Sequence, residues 1–295
     1  MTDLAFLGTG LMGFPMARNL QDAGLEVHAF NRSSERAEPL RDAGADVFED
    51  PGDAAKGCSI LVTMLSDSDA VLDLAPQALE SLDDDGIWIQ MSTIGINGTE
   101  RCAQLAGKHE VTFVDAPVLG TKQPAEEGKL VVLASGPDSA QKTCAQVFDA
   151  VGGRTVWLGD AGEGSRAKVM INAWIVGVVG VLAETITLGE ALGIDPQVFF
   201  DAVQDGPLDL PYAQMKGGAM LKRAFDDVSF RLALSRKDAE LVLGAAAEAG
   251  LELPIMKATL SRLSAAEADG HGDEDMAATY WASAPQTAGT NRGHE

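Results

Sequence analysis

The chain has 295 residues, near the limit at which a single hydrophobic core stops growing, so two domains are expected. Its 22 Lys and Arg against 44 Asp and Glu give a formal net charge of −22, which disfavours nucleic acid and anionic membranes as partners, while 46% hydrophobic residues supply an ordinary globular core. In chain order, apolar runs at Leu4–Leu7, Val27–Phe30, Ile60–Met64 and Ile87–Met91 predict strands. Amphipathic stretches at Leu11–Ala23, Ser33–Ala43 and Asp67–Leu82 predict the helices between them. This alternation implies a parallel sheet with helices on both faces, the doubly wound α/β arrangement. Further strands are expected at Val111–Val114, Leu130–Leu133 and Thr155–Leu158.

The pattern changes after Gly164. From Ser165 to Leu192 there is no proline, and Ala, Val, Leu, Ile and Glu dominate, which reads as one long helix ending near Gly193. Helical patterns continue to about Ala284, and the polar tail from Gln286 to Glu295 is expected to fray. The expected organisation is an α/β Rossmann domain over residues 1–162 and an all-α substrate and dimerisation domain over 163–295, entered through the long helix. The apolar run from Val169 to Leu182 is interrupted by Asn172 and falls short of a membrane span, so a buried helix is expected. Because the long helix is apolar on more than one face, it is expected to pack against a partner subunit in a homodimer or homotetramer. Cys58, Cys102 and Cys144 are widely spaced and form no metal pattern; they read as reduced thiols of a cytoplasmic protein, and no metal site is expected. The first ten residues lack the basic and apolar regions of a signal peptide.

Directly after the first strand comes Gly8-Thr9-Gly10-Leu11-Met12-Gly13, a GxGxxG turn opening a helix. The first glycine permits the tight turn, the second lets backbone approach a pyrophosphate, and the third allows close helix–strand packing. The free N–H groups of the helix start then face the phosphates. A tight turn with no ligand would use the same residues. The second strand ends in Phe30-Asn31-Arg32-Ser33, without the acidic residue that accepts from the ribose 2′-OH of NAD. Arg32 can pair with a 2′-phosphate and Ser33 can donate to it, so NADP(H) is favoured over NAD(H). The plain alternative is a solvated Arg32 beside an ordinary serine N-cap.

Four ordered blocks carry a family resemblance. Gly8 to Leu20, GTGLMGFPMARNL, resembles the N-terminal signature of the β-hydroxyacid dehydrogenases. Asp115-Ala116-Pro117-Val118 with Gly120, then Gly162-Glu163-Gly164 leading to Lys168 and Asn172, then Phe230 with Lys237-Asp238, are similar to that family's later motifs. The run Pro124 to Leu130 looks nearest to the glyoxylate/succinic semialdehyde reductase branch. The resemblance implies Lys168 as proton donor to the carbonyl oxygen and acceptor in reverse, with Asn172 one helical turn away. It also implies cofactor contacts at Met64, Leu65, Thr93 and Lys237, and substrate contacts at Ser92, Thr93, Gly120, Phe230 and Asp238. Taken without it, a Lys/Asn pair on a helix is a solvated face, and Ser92 and Thr93 are an N-cap. Leu119 stands where the family commonly has a carboxylate-binding serine, and Thr121 or Lys122 are the candidate replacements; Ala173 replaces the family's second asparagine. The expected activity is an NADPH-dependent interconversion of an aldehyde or keto acid with its alcohol or hydroxy acid. An imine reductase of similar architecture and a catalytically silent dinucleotide-binding protein are the alternatives.

Overall fold

The computed structural model describes residues 3–284; the polar tail from Gln286 lies outside them. The chain divides into two compact units, the first ending at Ile171 and the second starting at Asn172, nine residues beyond the boundary expected at 162.

The first unit opens with the repeated strand–helix pattern. In chain order it runs β1 (Asp3–Leu7), α1 (Gly13–Asp22), β2 (Glu26–Phe30), β3 (Asp46–Phe48), α2 (Pro51–Ala55), β4 (Ile60–Thr63), α3 (Ser68–Ser81), β5 (Ile87–Gln90), α4 (Gly95–Lys108) and β6 (Thr112–Asp115). These six strands form one parallel sheet in the order β3-β2-β1-β4-β5-β6, the doubly wound order of a Rossmann domain. Side chains alternate along each strand. Leu4, Phe6, Ile60, Val62, Ile87 and Ile89 enter one buried cluster. Ala5, Leu7, Leu61 and Trp88 enter the other, on the opposite face. Both faces are thus dry, which is why these strands read in sequence as unbroken apolar runs. Trp88 anchors the second face: its indole N–H donates to Thr63 Oγ1 at 3.0 Å, and its ring meets Phe113 edge-on at 5.2 Å.

One expectation is corrected. The stretch Ser33–Ala43 is not an α-helix but two 3-10 turns, Ser34–Arg36 and Glu38–Ala43. Its buried residues, Ala37 and Leu40, are three apart, the period of a 3-10 helix, and Gly44 ends the stretch in the left-handed conformation. The strands expected at Leu130–Leu133 and Thr155–Leu158 are present, outside the Rossmann sheet. The chain continues through β7 (Val118–Leu119), α5 (Lys122–Glu126), β8 (Leu130–Ala134), α6 (Gln141–Val151) and β9 (Gly152–Trp157), and these three strands form a separate sheet in the order β7-β8-β9. Cys58, Cys102 and Cys144 are buried free thiols, each pushed up to about 12 by that burial.

The long helix, α7, spans Glu163–Ala191, two residues earlier at its start than expected, and its residues from Asn172 onward belong to the second unit. By length and composition alone it is long and apolar enough to cross a bilayer. Asn172 on it is buried and hydrogen-bonded within the protein. The second unit continues with α8 (Gln197–Val203), α9 (Pro211–Lys222), α10 (Leu232–Glu248), α11 (Pro254–Ala266) and α12 (Tyr280–Ser283). Among the described residues its only β-type pairing is the isolated bridge Arg231–Asp275. A buried ion pair fastens this unit: Lys216 Nζ meets Asp275 at 2.7 and 2.8 Å. Asp275 also accepts from the amides of Ser229, Phe230 and Ala277. Burial would raise its pKa, but the Lys216 ammonium and these donors together hold it below the usual carboxylate range.

Candidate active site

The glycine loop lies at the carboxyl edge of the sheet. Gly8 has φ of +106°, and a Cβ there would sit 2.3 Å from the Met64 carbonyl oxygen, so no other residue fits. A Cβ on Gly13 would stand 1.8 Å from the Gly8 carbonyl oxygen, which fixes the close approach of α1 to the loop. Gly10 is different: nothing lies within 4 Å of its Cβ position, so the loop is open on that side. The first turn of α1 has no side-chain cap and no acidic residue. The positive end of a helix dipole is thereby left for an external anion, and the residues present fit a dinucleotide pyrophosphate. Leu11 is exposed and Met12 half-buried at the loop's outer side.

Asn31 proves to hold the loop itself. Its Oδ1 accepts from the Thr9 amide at 3.1 Å and its Nδ2 donates to the Ser33 carbonyl at 3.0 Å. Arg32 is exposed and forms no ion pair among the described residues. Ser33 occupies the N-cap position of the following 3-10 turn without a capping bond from its side chain.

Ser92 is fully buried. Its Oγ accepts from the Leu65 amide at 2.8 Å and lies 3.3 Å from the Thr63 carbonyl, to which it donates. It therefore splices the ends of β4 and β5 and sets the Met64-Leu65 segment behind the glycine loop; Thr93 beside it is half-buried. The N-cap position of α4 is Ile94.

The Asp115-Ala116-Pro117-Val118 segment meets the start of α7. Three amides open that helix without an acceptor inside it. Glu163 N–H donates to the Asp160 carbonyl at 3.1 Å, Gly164 N–H to Ser135 Oγ at 2.9 Å, and Ser165 N–H to Asp115 Oδ2 at 2.7 Å. Ser165 Oγ donates to Asp115 Oδ1 at 2.8 Å and lies 2.8 Å from Thr99 Oγ1. A Cβ on Gly164 would fall 2.3 Å from the Leu133 carbonyl oxygen, so the Gly162-x-Gly164 motif lets the helix abut β8. Asp115 is 0% exposed, and desolvation raises its pKa from 3.8 to about 6 against the opposing hydrogen bonds from Ser165 and Ser135.

One turn further, Lys168 is 9% exposed and its Nζ donates to the Val118 carbonyl at 2.8 Å. Leu119 and Gly120 follow at once: Leu119 is half-buried on β7, and Gly120 has φ of +129°, with a Cβ there 2.6 Å from Leu130 Cδ2. Thr121 is half-buried at the N-cap position of α5 and makes no capping bond.

The expected residues of the second unit form two groups. Asn172 Nδ2 donates to Asp238 Oδ2 at 2.8 Å, and Asp238 Oδ1 lies 3.3 Å from Lys237 Nζ, so a buried Asn–Asp pair meets a half-buried lysine. Asn172 is thus held by an aspartate, a partner the sequence does not suggest. Phe230 is half-buried on the segment clamped by Asp275. Among the described residues no His/Cys/Asp/Glu group can hold a metal ion.

A Rossmann sheet with an open glycine loop at a helix start is the architecture of a dinucleotide-binding domain. Residues 3–159 match the NAD binding domain of 6-phosphogluconate dehydrogenase, and residues 162–282 match the NAD-binding family of NADP-dependent 3-hydroxyisobutyrate dehydrogenase. The chain is 30% identical over 278 residues to the chloroplastic glyoxylate/succinic semialdehyde reductase 2 of Arabidopsis thaliana, covering 93% of this chain and 77% of that protein. It is 32% identical over 282 residues to the uncharacterized oxidoreductase YfjR of Bacillus subtilis, covering 93% and 97%. The 3-hydroxyisobutyrate dehydrogenase of Mycobacterium tuberculosis, solved with L-serine, superposes with a TM-score of 0.86 at 27% identity over 95% of this chain and 98% of that one. The chain belongs to the β-hydroxyacid dehydrogenase family, oxidoreductases acting on CH–OH groups, and carries the NAD(P)-binding domain of that family.

The Asp115 environment generates a test. Its folded-state pKa is raised from 3.8 to about 6, so the stability it contributes is complete below pH 4 and lost as pH rises through 6. Asp115→Asn removes this titration. The unfolding free energy of the native chain minus that of the variant is expected to fall by about 2 kcal/mol between pH 4 and pH 7, measured by urea denaturation. Parallel curves for the two proteins would refute this account of the carboxylate.

Proposed function

We propose that this chain is an NADPH-dependent carbonyl reductase that interconverts an aldehyde or keto acid with the corresponding alcohol or hydroxy acid. The observation that carries the reading is Lys168: a buried ammonium, oriented by the Val118 carbonyl at 2.8 Å, in the same compact unit as the glycine loop. The bound nicotinamide supplies or accepts the hydride. The chain must then move one proton at the carbonyl oxygen, and Lys168 Nζ delivers it in reduction and takes it back in oxidation. The amides of the Gly8–Gly13 turn and the start of α1 hold the pyrophosphate, and Arg32 the 2′-phosphate. Family resemblance assigns Lys237 to the cofactor, Thr93 to cofactor and substrate, and Gly120, Phe230 and Asp238 to the substrate; Asn172, one helical turn from Lys168, is the second catalytic residue, its amide holding the substrate hydroxyl or the lysine.

Substrate choice turns on Leu119. An apolar side chain replaces the family's hydroxyl, so the substrate is a larger or less polar carbonyl than a small hydroxy acid, with Gly120, Thr121 or Lys122 left to meet any carboxylate. The same leucine favours the second reading, an imine reductase, against which the presence of Lys168 counts. The exposed apolar side chains of Met170, Trp174, Val181 and Leu188 on α7 support a homodimer or homotetramer. Light scattering at micromolar concentration is expected to give a multiple of 30.8 kDa, and a monomeric mass would end that part of the proposal.

NADPH oxidation followed at its absorbance band against glyoxylate, succinic semialdehyde and a cyclic imine tests the reaction class. The expected result is turnover of an aldehyde by the native chain and its loss in Lys168→Ala. Turnover of the imine alone, or undiminished activity in the variant, would move the assignment to the second reading. No turnover with any substrate despite tight NADPH binding would leave a silent binding protein. Arg32→Ala tests the cofactor assignment: loss of a charge-assisted phosphate contact of about 1.5–3 kcal/mol raises the KM for NADPH by roughly 10- to 100-fold and leaves that for NADH unchanged. Equal effects on both cofactors would contradict it.

A further inference from the structure

The loop from Asp115 to Val118 touches α7 twice. At one end the Asp115 carboxylate takes both the amide and the hydroxyl of Ser165, at 2.7 and 2.8 Å. At the other, the Val118 carbonyl takes the Lys168 ammonium at 2.8 Å. Ser165 and Lys168 are three residues apart and so lie on one face of the helix, one turn from each other. Gly164 brings the same turn into backbone contact with Leu133, and Ser135 receives the Gly164 amide while donating to the Asp115 carbonyl oxygen at 3.2 Å. The carboxylate is 0% exposed, so it meets no ligand. Its partners instead fix where the helix begins and how it is rotated about its axis. Rotation of a capped helix start swings a side chain one turn away through several ångströms, and reaction geometry tolerates far less.

We propose that Asp115 is a positioning residue for Lys168, acting through Ser165 and the first turn of α7. This rests on the reading of Lys168 as the proton donor. Its content is that the loss on removing Asp115 is routed through the lysine, which a general structural role would not be.

The test is a double-mutant cycle between Asp115→Ala and Lys168→Ala on the full chain, with NADPH as the probe. Asp115→Ala alone is expected to lower kcat by roughly 30- to 100-fold while NADPH affinity, read by fluorescence titration, stays unchanged. Asp115→Asn, which keeps an acceptor for the Ser165 amide, is expected to restore most of that loss. In the Lys168→Ala background Asp115→Ala is expected to cost nothing further. A native kcat in Asp115→Ala, or the same fold-loss in both backgrounds, would overturn the proposal. A native kcat in Lys168→Ala alone would instead overturn the reading of the lysine, and this inference with it. Where Asp115→Ala gives no cooperative melt, Ser165→Ala carries the same cycle: it removes the two hydroxyl contacts and keeps the amide bond, so a smaller loss that vanishes without Lys168 is expected, and a loss that persists counts against the proposal.

Discussion

A buried carboxylate at the head of a 29-residue helix is the constraint on which the site depends. The helix has to start at one residue in one rotation for Lys168 to meet the Val118 carbonyl. The amides that open it have no partner within the helix, and burial makes an unsatisfied donor costly, so the surrounding fold supplies an acceptor for each. Asp160, Ser135 and Asp115 do so from three different segments. Two forces act on Asp115 in opposite directions. The positive end of the helix and the serine donors favour its charge, and the loss of water opposes it; desolvation is the larger, which is why its pKa lies near 6. The carboxyl group is costly to ionise there, yet its two oxygens take the amide and the hydroxyl of Ser165 at once and so set the helix start.

Charge poses a second constraint. With a formal net charge of −22, the protein's mean field opposes an anionic dinucleotide. The dinucleotide-binding domain meets this with groups independent of net charge: backbone amides at a glycine turn and a helix start free of acidic residues. Asn31 contributes by fixing the Thr9 amide from the neighbouring strand, so that the turn is shaped before any ligand arrives.

The sequence was legible where chemistry is local. Strands buried on both faces left unbroken apolar runs, and the glycine turn declared itself because backbone geometry admits nothing else at Gly8 and Gly13. The long helix was visible from its composition to within two residues of its start. Three-residue β3 and two-residue β7 carry too little periodicity to register, and Ser33–Ala43 has helical composition but buries only a three-residue repeat. Lys168 was found through family resemblance, since a lysine on a helix has no signature of its own. Asp115 was visible only as a letter in a motif: its partner Ser165 lies 50 positions away, and no local pattern encodes a cap delivered from a strand. The same holds for Asn31 with Thr9, and for the pair Lys216–Asp275, which is separated by 59 positions.

The central claim is that the Lys168 ammonium carries the proton to the carbonyl oxygen. Chemical rescue measures this most directly: NADPH-dependent aldehyde reduction by Lys168→Ala is followed with increasing concentrations of small primary alkylamines. The account predicts that rate returns with added amine, saturates, and scales with the amine's acidity, because a diffusible ammonium then occupies the place of the missing side chain. A variant whose rate ignores the amines, or which needs none, would contradict it.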